Sequence, residues 1–137
     1  MNIITIYDYP DDNVSMQKLL VCWTRHINKF AKGFDVYLVH GDKTDANTLK
    51  SLLKDETSNI NLNFIRGTKC PTEYGVPRID GNFHVNFNLY NVMEVGKMIN
   101  GPIIYLDLDA ILLSDLSEWW KYINEKRKST NYRWSGF

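Results

Sequence analysis

Residues 101–120 read GPIIYLDLDAILLSDLSEWW. Gly101-Pro102 is a break, and Ile103 to Leu113 is the most apolar run in the chain. Two aspartates, Asp107 and Asp109, interrupt it. Asp115-Leu116-Ser117-Glu118 then reads as a capping box that opens a helix through Trp119, Trp120, Tyr122 and Ile123. A β-branched run after a Gly-Pro break is the pattern of a buried strand. Such a strand has no cheap place for a carboxylate, because an unpaired buried charge costs several kcal/mol or shifts its pKa. Two carboxylates two residues apart on a strand share a face, with Cα atoms roughly 6.6 Å apart. A hard divalent cation relieves their repulsion, since Mg²⁺ and Mn²⁺ take carboxylate, water and phosphate oxygens. Two carboxylates underfill an octahedral ion, and a diphosphate suits the vacant positions. The plainer alternative makes Asp107 and Asp109 turn or cap residues, as Asp115 is.

Strand and helix patterns alternate upstream. Asn2 to Tyr9 is a first strand, and Pro10-Asp11-Asp12-Asn13 a turn and helix start. Met16, Leu19, Leu20, Trp23, Ile27 and Phe30 keep helical spacing over about residues 14 to 31, and Gly33 ends that helix. Phe34 to His40 is a second strand, and a shorter helix carries Leu49, Leu52 and Leu53. Ile60 to Ile65 alternates apolar residues with asparagine as a third strand. Gly67 to Gly81, with three glycines and two prolines, is a long loop. Phe83 to Ile99 returns to helical spacing, and Asn100-Gly101-Pro102 stops it.

This order implies an α/β fold, a Rossmann-like, mostly parallel sheet flanked by helices. In such sheets ligands bind beyond the carboxyl ends of the strands. The residues there are Tyr7, Asp8 and Tyr9, then His40 to Asp42, Arg66 to Thr68, and Asp107 to Asp109. His84, Asn88 and Asn91 share one helical face, either solvated or turned toward a ligand. His26 and His40 carry no partner signal. Asn13-Val14-Ser15 matches a glycosylation sequon but reads as a helix start.

At 137 residues and 44% hydrophobic content, the expectation is one globular domain over residues 1–137. Sixteen basic residues balance sixteen acidic ones, which argues against nucleic acid as a partner. No stretch approaches a membrane span, the N-terminus lacks a basic leader, and Cys22 and Cys70 fit a reducing compartment. The localisation expected is cytoplasmic.

The 101–120 stretch resembles the D-x-D region of nucleotide-sugar glycosyltransferases of the GT-A fold, particularly the family 8-like pattern of YLDxD, an apolar run and a DL-started helix. The strand order before it agrees with that fold's N-terminal, nucleotide-binding half. The resemblance implies a hexosyltransferase in which Asp107 and Asp109 engage Mn²⁺ or Mg²⁺ and, through it, the diphosphate of the donor, with uridine as the expected base. Asp107 would also touch the ribose. Tyr7, Asp8 and Tyr9 would line the base and ribose pocket, Arg78 would meet phosphate or sugar, and a carbohydrate or protein would accept the sugar. Family members run well past the D-x-D and often supply a histidine ligand there. Only 28 residues follow Asp109, none of them histidine. The expectation is therefore a nucleotide-sugar-binding half with the acceptor-binding half largely absent and no nameable catalytic base. Two alternatives stand beside it. One is a non-catalytic nucleotide-sugar-binding module or partner subunit. The other is a haloacid-dehalogenase-type phosphatase, disfavoured because Ile111 stands where that family has Thr or Val and because 106 residues precede Asp107.

Overall fold

The computed structural model describes residues 1–71 and 84–130, the last with residues 84–86 and 127–130 as backbone only. Its elements alternate as expected: β1 (Asn2–Tyr7), α1 (Val14–Phe30), β2 (Asp35–His40), α2 (Ala46–Leu53), β3 (Asn61–Arg66), α3 (His84–Met98), β4 (Ile103–Tyr105) and α4 (Leu116–Thr130). The four strands form one parallel sheet in the order β3-β2-β1-β4.

β1 is paired on both edges. Asn2 to Tyr7 run in register with Asp35 to His40, while Asn2 to Ile4 run with Ile103 to Tyr105. All six residues of β1 are buried. Their alternation divides the core into two layers. Ile3 and Tyr7 join Val36 and Leu38 beneath α1 and α2, packed on Leu20, Trp23, Ile27, Leu49 and Leu53. Ile4, Ile6 and Val39 face the other way and pack with Val95 of α3. A sheet covered on both faces explains why β1 reads as a continuous apolar run.

The starts of α1, α2 and α4 are side-chain caps. Asn13 accepts a hydrogen bond from the Met16 amide at 3.1 Å, Asp45 from Asn47 at 2.8 Å and Asp115 from Ser117 at 2.8 Å. Asn13 is thus a cap, as its sequence context suggests. Gly33 and Gly101, placed at helix exits by the sequence, adopt φ of +79° and +105°, where a side chain is strained.

Asn91 of α3 is 1% exposed and clamps the end of β3. Its Oδ1 accepts from the Thr68 amide at 2.8 Å, and its Nδ2 donates to the carbonyls of Thr68 and Phe87 at 2.9 and 2.8 Å. Gly67 leaves room for this: a Cβ there would lie 2.7 Å from Phe87 and 2.8 Å from the Asn91 oxygen. Asn91 is therefore not on a solvated or ligand-facing surface, which corrects the reading from helical spacing.

β4 is shorter than its sequence implies. Pairing ends at Tyr105 apart from the Leu106 amide donating to Ile4 at 3.0 Å, and Asp107 to Ala110 close a turn through a 3.0 Å bond. Ile111 and Leu113 are exposed at 61% and 87%, so apolarity there does not encode a strand.

Truncating Asn91 strands buried backbone groups. Asn91→Ala is expected to destabilise the fold by about 2–3 kcal/mol, read as a lower urea midpoint with an unchanged m-value.

Candidate functional site

The chain leaves β1 for β2 and β3 on one side, then returns to place β4 on the other. β1 and β4 are parallel neighbours, so the loops that follow them leave the same end of the sheet, where ligands bind in such folds. Asp8 and Tyr9 follow β1, and Asp107 and Asp109 follow β4.

Asp107 and Asp109 are exposed, whereas Leu108 is 8% exposed and packs in the core with Leu116. The two carboxylates do share an outward side, but they are not carved out of the apolar interior. The desolvation argument made from the sequence therefore fails, because the strand stops two residues before Asp107. What remains is a concentration of negative charge. Tyr9 reports it: burial raises its phenol above the ordinary range, and the charges of Asp8, Asp107 and Asp109 raise it further.

The wall after β1 is stitched to the loop after β2. Asp8 packs against Gly41 so closely that a Cβ on Gly41 would fall 1.9 Å from its Oδ1. The Thr44 hydroxyl donates to the Tyr9 carbonyl, and the Asp45 amide donates to both Asp11 oxygens at 3.2 and 3.3 Å. These bonds fix the backbone that presents Asp8 and Tyr9.

Tyr7 and Tyr9 behave differently. Their rings meet edge to face at 5.3 Å between centroids. Tyr7 is 1% exposed within the core, and its buried hydroxyl has no partner among the described residues. Burial, then Asp11 and Tyr9, push its phenol up. Tyr7 thus lies in the core beneath Tyr9, which is half-buried at its edge.

On the β4 side, Tyr105 lies on the α3 face and its hydroxyl donates to Asp107 Oδ1. Burial, then the hydrogen bond and charge of Asp107, raise its phenol above the usual range, while a hydrogen bond from Asn88 opposes the rise. The i, i+2 spacing of Tyr105 and Asp107 was readable in the sequence. Asn88 comes from another element and left no local signal.

The other expected positions are quickly placed. Arg66 forms an exposed ion pair with Asp42 at 2.6 Å. His40 is buried with its Nδ1 3.2 Å from the Gly41 carbonyl, and His26 Nδ1 lies 2.8 Å from the Cys22 carbonyl, so both are structural. Arg78 and the His84 side chain lie outside the described residues. No group of three or more His, Cys, Asp or Glu side chains able to hold a metal is found among the described residues. The acidic pair is suited to an ion whose remaining ligands are water and phosphate, and not to a closed protein cage. No described helix is long and apolar enough to cross a membrane.

Comparison with known proteins bears on the fold. No family model and no curated protein matches the sequence. A solved structure of the galactosyltransferase LgtC, in complex with donor and acceptor sugar analogues, superposes with a TM-score of 0.54 at 14% identity. The match covers 88% of this chain and 42% of that one. An active-site mutant of LgtC gives 0.53 at 17% identity, covering 88% and 41%. The fold is shared with a glycosyltransferase. The chain spans about two fifths of the length of these structures.

The raised phenols of Tyr7, Tyr9 and Tyr105 have a definite pH signature. The unfolded chain releases these protons near the ordinary value of 10.0, and the folded chain holds them to higher pH. Stability is therefore complete below pH 10 and falls as pH rises through the window above it. Urea midpoints measured at pH 9 and pH 11 are expected to show this loss, with Tyr105→Phe flattening it.

Proposed function

We propose that this chain binds the nucleoside diphosphate part of a nucleotide-sugar, with UDP as the first candidate, and that it serves sugar transfer. The observation that carries the reading is the gathering of three carboxylates around Tyr9 at the carboxyl ends of β1 and β4. Asp8, Asp107 and Asp109 all act on the Tyr9 phenol, on a fold shared with a galactosyltransferase. Tyr9 offers a ring for the base and Asp8 an acceptor for base or ribose hydrogens. Asp107 and Asp109 would hold Mn²⁺ or Mg²⁺ together with the diphosphate. The bound ion would supply Lewis-acid stabilisation of the departing diphosphate. The chain's own residues position the nucleotide and concentrate the negative charge that draws the cation.

The likeness to LgtC supports the transfer reading over a phosphatase.

The test is thermal unfolding with a panel of nucleoside diphosphates and nucleotide-sugars, with Mn²⁺ or with EDTA. UDP in Mn²⁺ is expected to stabilise the protein by about 2.7 kcal/mol at a hundredfold excess over Kd, by mass action on the folded state. EDTA and Asp109→Asn are each expected to abolish the gain. Absence of any metal-dependent nucleotide effect contradicts the reading. Stabilisation without sugar transfer or hydrolysis supports the binding module in place of the enzyme.

Gly41→Ala supplies an independent check. It removes no ionisable group but displaces the Asp8 carboxylate. UDP affinity is expected to fall about three- to tenfold, the worth of one ordinary hydrogen bond, as measured by calorimetry.

A further inference from the structure

Asp107 is exposed, and an exposed carboxylate on a turn ordinarily samples several rotamers. Here it is tethered. The Tyr105 hydroxyl donates to its Oδ1, and the Tyr105 ring is set on the α3 face by the pairing of Tyr105 with Ile4. Asn88 of α3 approaches the same hydroxyl closely enough to act on it. Asn88 Oδ1 is buried with no hydrogen-bond partner among the described residues, so the side chain sits there at a cost. A hydroxyl that accepts one bond and donates another polarises along the chain, which strengthens the bond to the carboxylate.

We infer that Tyr105 and Asn88 are positioning residues for Asp107. The relay from Asn88 through Tyr105 fixes one carboxylate oxygen of Asp107 and leaves the other for an incoming ligand. Neither residue touches that ligand. The inference rests on the donor-site reading for its use, but the positioning itself is a property of the free protein.

Two measurements separate these. The first is the Asp107 Cα–Cβ torsion, from three-bond NMR couplings in ligand-free protein. Wild type is expected to hold one rotamer, Tyr105→Phe to average over several, and Asn88→Ala to fall between them. The second is UDP affinity in Mn²⁺ by calorimetry. Tyr105→Phe is expected to weaken it about tenfold, the size of a lost bond to a charged group, with no further loss on adding Asn88→Ala. Thermal midpoints near wild type keep both variants interpretable, since phenylalanine retains the ring packing. An unchanged Asp107 rotamer in Tyr105→Phe overturns the inference. So does an Asn88→Ala loss that adds in full to that of Tyr105→Phe. An ordered rotamer that depends on Tyr105, in a protein with no UDP affinity, supports the relay and removes the donor-site reading instead.

Discussion

Pairing of β1 along both edges is the constraint on which the rest depends. Asn2 to Tyr7 give their backbone groups to β2 on one side and, over the first half, to β4 on the other. With every β1 residue buried, the strand cannot shift by one residue without exchanging its two apolar faces. Ile3 and Tyr7 would leave the α1–α2 layer, and Ile4 and Ile6 the α3 layer. The loops that follow β1 and β4 therefore emerge at fixed positions, side by side at one end of the sheet.

At those strand ends, the structure uses backbone fit before charge. Gly41 lacks the atom that would evict Asp8, and Thr44 and Asp45 tie the β2–α2 loop to the β1–α1 loop. Tyr105 tethers Asp107. These contacts gather several carboxylates around one tyrosine, a repulsive arrangement that folding alone gives no reason to build. A cation relieves it, which connects the geometry to the proposed ligand.

Most of the architecture was legible because periodicity reports burial directly. Leu20, Trp23 and Ile27 mark the inner face of α1, and they are buried where their spacing puts them. The caps Asn13 and Asp115 and the exits at Gly33 and Gly101 were readable for the same local reason. The apolar run after Tyr105 misled because apolarity and strand are separate properties: Leu112 packs against the core, while Ile111 and Leu113 face solvent. The burial assigned to Asp107 and Asp109 fell with that strand. Asn91 misled in the opposite sense, since only the fold shows that its polar side chain closes a gap between α3 and β3. The site was half legible. Asp8, Tyr9, Asp107 and Asp109 follow from strand ends, whereas Gly41 and Asn88 matter through contacts between elements distant in sequence.

The central claim is that one metal ion and one diphosphate meet between the ends of β1 and β4. Paramagnetic broadening of backbone amide signals by Mn²⁺ in the presence of UDP tests it most directly. The account predicts loss of signal at Asp8, Tyr9 and Asp107 to Ala110, with the outer face of α1 untouched. Broadening centred on Asp42 and Arg66, or spread evenly over the exposed carboxylates, would contradict it.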